Sequence, residues 1–156
     1  MDKNAYLERN ASQQPALELL QAMGYIYISP EDCALQRGSC YHVLLKDILR
    51  GQLRRLNRYA FAGAENEFSA ANIERAMEDL DEPLTDGLVR TSEKIYDALL
   101  LGKSYPETVG EGKKLSFNLK YIDWEHPENN LFHMTEEFAV DSRDKLHNAR
   151  PDIVLF

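Results

Sequence analysis

The sequence predicts an α/β fold of the α+β kind, in which N-terminal helices pack on a mixed β-sheet. Before Gly102, apolar residues recur every three or four positions, which is typical of amphipathic helices. After Gly112 the spacing changes to two, which is typical of strands with one buried face. The chain has 156 residues and is 44% hydrophobic, which is enough for one core. We therefore predict a single domain over residues 1–156.

Helices dominate the first part of the chain. Residues 15–24 form the first predicted helix, because Pro15 suits the first helical position and Gly24 suits the terminating one. A short strand over residues 25–28 follows and ends at Ser29-Pro30. The later helices are predicted from Tyr41 to Tyr59, from Ser69 as the N-cap to just before Pro83, and from about Thr91 to Gly102.

The strands follow Gly112. Residues 114–124 and 131–140 alternate apolar and polar side chains, and the link between them is rich in turn residues, so we predict an antiparallel pair. The apolar run 152–156 is predicted to join the same sheet. Because an apolar strand left at a chain end invites aggregation, we expect the native chain to continue. Aromatic residues at this spacing are predicted to be core residues rather than a base-stacking platform: Phe117, Tyr121, Trp124, Phe132 and Phe138.

The net charge of -8 is unevenly distributed. Residues 1–60 hold eight Lys and Arg against six Asp and Glu, whereas residues 61–156 hold ten against twenty. A DNA-binding surface is therefore expected in the first part, since affinity for DNA comes largely from cations. Spacing by four places a set of cations on one predicted helix face, which either binds DNA or is solvated and paired with carboxylates of the acidic half. These candidates are Lys46, Arg50, Arg54 and Arg58.

Cysteine and histidine usage predicts a cytoplasmic protein without a zinc site. Cys33 and Cys40 are too few for a disulfide framework, and no secretory signal opens the chain. No apolar run is long enough to span a membrane. The four histidines do not lie four residues from one another or from a cysteine, as zinc motifs require. His133 is placed on the polar face of its strand, with an exposed ring.

The most specific motif lies near the end of the chain. Asn130-Leu-Phe-His-Met-Thr-Glu-Glu-Phe-Ala-Val140 is followed by a polar loop and by Arg150-Pro-Asp-Ile-Val-Leu-Phe156. This arrangement resembles the N-terminal nuclease region of type I restriction enzyme R subunits, whose core belongs to the PD-(D/E)xK superfamily. That family's pattern is N-x-F-x-V-x-x-x-F-x-V, a variable loop, R-P-D-I-V-L-F and then an E-x-K strand. Met134 stands where the family usually has valine.

The resemblance extends more loosely to residues 16–25, which are similar to the family's first helix. Many relatives carry a glutamate near the start of that helix, whereas this chain has Gln13 and Gln14. Whether Glu8 or Glu18 joins the metal site instead is left open.

The resemblance implies that Asp152 is a catalytic metal ligand. Phosphodiester hydrolysis with Mg²⁺ requires hard oxygen ligands and a group that positions water. The family's E-x-K would supply a second carboxylate and a lysine, but no E-x-K follows Asp152 in this chain. The chain alone is therefore expected to be inactive. Judged from the residues only, a Pro-Asp before an apolar run is ordinarily a loop-to-strand junction.

The implied function is that of a fragment of the restriction subunit of a type I restriction-modification system. Mg²⁺-dependent DNA cleavage would be coupled in the full protein to ATP-driven translocation, and the partners would be DNA and the modification (methyltransferase) and specificity subunits. No G-x-x-x-x-G-K-[ST] phosphate loop occurs here, so ATP would bind elsewhere. The alternative is a non-catalytic acidic docking module, in which the acidic run 74–86 contacts a basic partner surface.

Overall fold

The computed structural model describes residues 9–81, 83–141 and 148–156. The helices and strands confirm the α+β class. The described residues form two compact units, one built from the chain up to Leu45 together with Leu131–Phe156, the other from Lys46–Asn130. The single domain over 1–156 stays a prediction. In the described ranges, no helix is both long enough and apolar enough to cross a membrane.

The regular elements are numbered in chain order. The helices are α1 (Gln14–Ala22), α2 (Pro30–Arg37), α3 (Lys46–Leu56), α4 (Ala70–Leu80) and α5 (Leu88–Leu101), and a π-helical turn, Arg9–Gln13, precedes α1. The strands are β1 (Ile26–Tyr27), β2 (Arg58–Phe61), β3 (Ala64–Glu67), β4 (Lys103–Val109), β5 (Lys113–Leu119), β6 (His133–Glu136), β7 (Val140–Asp141), β8 (Asn148–Ala149) and β9 (Ile153–Leu155).

The first unit contains a mixed three-stranded sheet in the order β1-β6-β9. The central strand β6 runs parallel to β1, with Ile26 beside His133, and antiparallel to β9, with Glu136 beside Ile153. The predicted entry of the last strand into a sheet with residues 131–140 is confirmed. All four residues of β6 are buried. The prediction that His133 is exposed is therefore wrong, because the side chains on both faces of β6 are buried.

Helix α2 was not predicted. Ser29 caps it by accepting a hydrogen bond from the Asp32 amide, and Pro30 occupies its first turn. Proline fits that position because its missing N–H would have no helical partner there. The Ser29-Pro30 pair therefore starts a helix where the sequence suggested only the end of a strand.

The second unit packs helices α3, α4 and α5 with two antiparallel hairpins, β2-β3 and β4-β5. Its core includes Leu53, Ile73 and Leu119, each fully buried. Ser69 caps α4 as predicted, and its side chain accepts from the Asn72 amide. Residues 58–67 were predicted as helix or left unassigned, whereas a tight turn at Ala62-Gly63 folds them into the β2-β3 hairpin.

The predicted pairing of residues 114–124 with 131–140 is wrong. Strand β5 pairs instead with β4, from Lys103 beside Leu119 to Val109 beside Lys113. Strand β4 was not predicted because its buried positions are not all apolar. One of them is Glu107, whose carboxylate is buried. A short turn joins the two strands. Closing it costs less conformational entropy than closing the longer link between residues 114–124 and 131–140.

Two of the predicted core aromatic residues lie at the surface. Trp124 is 57% exposed and Phe132 is 42% exposed. Phe132 precedes β6 and packs on Tyr25, with ring centroids 5.7 Å apart. Tyr121 and Phe138 are buried as predicted.

Candidate functional site

Asp152 lies immediately before β9, at the start of an edge strand of the mixed sheet. Its side chain is exposed, and its carboxylate forms no hydrogen bond or salt bridge with the part of the chain that the structure describes. In contrast, its main-chain oxygen accepts two hydrogen bonds. The oxygen accepts from the Glu137 amide at 3.1 Å and from Gln13 Nε2 at 3.2 Å. The residue therefore combines a fixed backbone with a free carboxylate.

The segment opposite Asp152 departs from regular pairing. The amides of Glu137 and Phe138 donate to the successive carbonyl groups of Asp152 and Pro151, at 3.1 and 3.2 Å. A regular antiparallel ladder bonds only every second residue, so the ladder is interrupted here. Glu137 has a φ of 53°, which is uncommon for a residue with a side chain. Its carboxylate also pairs with Arg150 Nε at 2.6 Å.

A second carboxylate, Glu136, lies on the neighbouring strand in a different environment. It is 6% exposed. Its Oε1 accepts from the Tyr27 hydroxyl at 3.0 Å and its Oε2 accepts from Gln13 Nε2 at 3.1 Å. Glu136 was assigned no role from the sequence, although its charged side chain falls on the otherwise apolar face of an alternating strand. That exception to the alternation was the available signal.

The structure describes one of the two other carboxylates considered for the metal site. Glu18 Oε1 accepts from Gln14 Nε2 at 3.0 Å, on the exposed side of α1. Glu8 lies outside the described residues. Within the described ranges, no three His, Cys, Asp or Glu side chains come together as a metal-binding group. From the described chain, Asp152 would supply one hard oxygen ligand, which suits Mg²⁺, and the rest of the ligand set would have to come from elsewhere.

The four basic candidates do not share one helix face. Helix α3 starts later and ends earlier than predicted, so Arg58 lies in β2, where its Nη1 pairs with Glu67 Oε1 at 2.7 Å. Arg50 bonds Glu74 of α4 at 2.5 and 3.2 Å and Asp47 at 2.7 Å. Lys46 and Arg54 form no salt bridge with described residues. DNA binding by this set stays a prediction.

Carboxylates of the acidic run 74–86 already form hydrogen bonds or salt bridges within the second unit. The Asp79 carboxylate accepts from the Tyr105 hydroxyl at 2.5 Å and pairs with Lys103 at 2.9 Å. Asp86 pairs with Lys94 at 2.6 Å. Burial opposes ionisation of Asp79, but these partners prevail and its pKa is lowered. A basic partner surface would therefore have to compete with internal cations.

The cysteines are free thiols, as expected. Cys33 is buried, and burial raises its thiol pKa, which keeps it protonated and unreactive. His133 is also buried, and burial lowers its pKa, so its ring is neutral near pH 7.

One comparison with known proteins decides the family. The family model described as type I restriction enzyme R protein N terminus matches residues 5–156, which is nearly the whole chain. The chain belongs to this family. No curated protein and no solved structure gave a significant match. The resemblance read from Asn130–Val140 and Arg150–Phe156 is confirmed, and the mixed sheet of this R-subunit N-terminal region carries both segments of that motif.

Proposed function

We propose that this R-subunit N-terminal region is part of a DNA nuclease, and that Asp152 is one of its metal ligands. The observation that supports the proposal most directly is the contrast at Asp152 between a main chain fixed by hydrogen bonds and an exposed carboxylate that has no partner among the described residues. A metal ligand needs both properties, because an ion binds a free oxygen pair and a fixed backbone keeps that pair in place.

The chemistry is Mg²⁺-dependent hydrolysis of a DNA phosphodiester. When bound, the ion would neutralise charge on the scissile phosphate and lower the pKa of a water molecule. Asp152 would bind the ion, and the proposed site is completed by a second carboxylate and a lysine of an E-x-K strand. Without these groups, residues 1–156 should bind Mg²⁺ weakly and should not cleave DNA.

The proposal places the chain in a larger assembly. Cleavage would be coupled to ATP-driven translocation by other parts of the R subunit. The modification and specificity subunits would bring the R subunit to its DNA. The basic side chains of α3 are candidates for DNA contacts.

The test is Asp152→Asn in the full R subunit assembled with its partner subunits. The substitution keeps the shape of the side chain and removes the charge that binds metal, so DNA cleavage with Mg²⁺ and ATP should be lost. ATP hydrolysis and the thermal melting temperature should stay close to wild type. Asp97→Asn is the matched control, since Asp97 is also exposed and lies on α5. It should cleave normally.

Full cleavage by Asp152→Asn would contradict the proposed role of Asp152. The alternative, a non-catalytic acidic docking module, predicts a different result: both variants cleave normally, and substitutions in the acidic run weaken assembly.

A further inference from the structure

We propose that Glu136 is a positioning residue of this nuclease and acts on Asp152 through Gln13. The proposal rests on the proposed function and adds two residues to it. It is motivated by a chain of side-chain contacts that starts at a buried carboxylate and ends at the main chain of the proposed metal ligand.

The first step is the burial of Glu136. A buried carboxylate is costly unless its oxygens accept hydrogen bonds. Both oxygens do, one from Tyr27 of β1 and one from Gln13, which precedes α1. These bonds connect Glu136 to two segments that lie 109 and 123 positions away in the sequence. An apolar side chain would fill a buried strand position with less penalty, so the carboxylate at this position calls for a function.

The second step is the orientation of Gln13. Its amide nitrogen has two hydrogens, and two acceptors lie within reach, Glu136 Oε2 at 3.1 Å and the Asp152 carbonyl oxygen at 3.2 Å. Bonds to an ionised acceptor are about twice as strong as those between neutral groups. The carboxylate of Glu136 therefore determines which end of the amide faces inward, and the second hydrogen is directed to Asp152.

The third step connects this contact to catalysis. The Asp152 carbonyl group accepts from only two donors among the described residues, the Glu137 amide and Gln13. Glu137 belongs to the interrupted part of the ladder, so the second donor matters more here than in a regular strand. Misplacing a reacting group by about 1 Å costs on the order of 10²-fold in rate. Losing Gln13 would let the Asp152 backbone move by such amounts.

The experiment measures DNA cleavage by the full R subunit with its partner subunits, as a function of Mg²⁺ concentration. Gln13→Ala and Glu136→Ala should each raise the Mg²⁺ concentration for half-maximal cleavage by roughly 10-fold or more, as is typical for partners that orient metal ligands. The double variant Gln13→Ala/Glu136→Ala should be no worse than the more severe single variant, because both residues act through one contact.

Glu136→Gln is the conservative variant. It retains a carbonyl oxygen for Gln13 and can donate to Tyr27, so it should recover most of the Mg²⁺ response that Glu136→Ala loses. It also keeps the test open if Glu136→Ala does not fold. Thermal melting of every variant is measured alongside, because a purely structural role would lower the melting temperature without changing the Mg²⁺ response.

A wild-type Mg²⁺ response in Gln13→Ala would overturn the proposal, and so would full additivity of the two alanine substitutions. Asp152→Asn separates this failure from that of the proposed function. If Asp152→Asn is inactive while Gln13→Ala is normal, only the positioning role is wrong. If Asp152→Asn cleaves DNA normally, the proposed role of Asp152 as a metal ligand fails, and the positioning role fails with it.

Discussion

Arg50 and Glu74 form a forked salt bridge between α3 and α4, with Nε to Oε1 at 2.5 Å and Nη2 to Oε2 at 3.2 Å. The Arg50 guanidinium lowers the pKa of the Glu74 carboxyl. Both side chains are partly exposed, so the pair contributes about 1 kcal/mol or less to stability. Its larger consequence is that Arg50, one of the four cations predicted to bind DNA, already pairs with a carboxylate of the same unit.

The first prediction concerns which cation of α3 contacts DNA. Arg54 is exposed and forms no salt bridge in the described chain, so Arg54→Glu should weaken DNA binding by the R subunit. The slope of log affinity against log salt should flatten by about one unit, because about one phosphate contact is lost. Binding is measured by fluorescence anisotropy across a salt series. Arg90→Glu makes the same charge change on α5. An equal loss of DNA affinity in both variants would show that the effect comes from net charge and not from a contact of Arg54.

The second prediction concerns the hydroxyl of Tyr27. Tyr27→Phe removes the donor to Glu136 Oε1 and leaves the rest of the side chain in place. The free energy of unfolding should fall by about 1–2 kcal/mol, since the acceptor is a buried charged group. Urea unfolding monitored by circular dichroism measures the change. Tyr41→Phe should be neutral because the Tyr41 side chain is exposed and its hydroxyl forms no hydrogen bond with the residues that the structure describes. Equal stability of the two variants would show that the Tyr27 bond contributes little.

The third prediction compares two glycines with almost the same backbone angle φ. Gly102 has a φ of 74° and Gly112 a φ of 76°. A Cβ at Gly102 would lie 2.5 Å from the main-chain oxygen of Leu119, whereas nothing lies within 4 Å at Gly112. Gly112→Ala should cost about 1–2 kcal/mol for the left-handed conformation alone. Gly102→Ala should cost at least about 2 kcal/mol more, because a paired strand must shift. Similar melting temperatures would contradict this.

The fourth prediction concerns acid unfolding. Hydrogen bonding from Asn129, together with the Lys120 ammonium group, lowers the pKa of Asp123 to about 2. The unfolded pKa of aspartate is about 3.9, so the stabilisation is complete above that pH and is lost as the pH falls towards 2. Asp123→Asn should therefore flatten the dependence of the unfolding free energy on pH between about 4 and 2. Asp97→Asn serves as the control, and an unchanged slope in Asp123→Asn would exclude this source of acid sensitivity.

The sequence by itself determined those features that depend on neighbouring residues. Ser69 caps α4, Gly24 follows the end of α1 and Gly102 ends α5, because capping and termination involve residues only a few positions apart. The Arg150-Pro-Asp motif and the family it indicates were also readable, since motif residues are contiguous. The helix predicted up to Tyr59 was too long at its end, because apolar spacing by three and four continues past Leu56. The chain leaves α3 there and enters β2.

Only the tertiary structure decided which strands pair and which polar groups are buried. Strand β5 pairs with β4 rather than with β6, and β6 lies between β1 and β9. All four side chains of β6 are buried, including His133 and Glu136. Local alternation predicts only which residues share a face; what covers each face depends on segments more than 100 positions away. Gln13 and Glu136 are 123 residues apart, so their contact follows from the folded sheet and from no pattern along the chain.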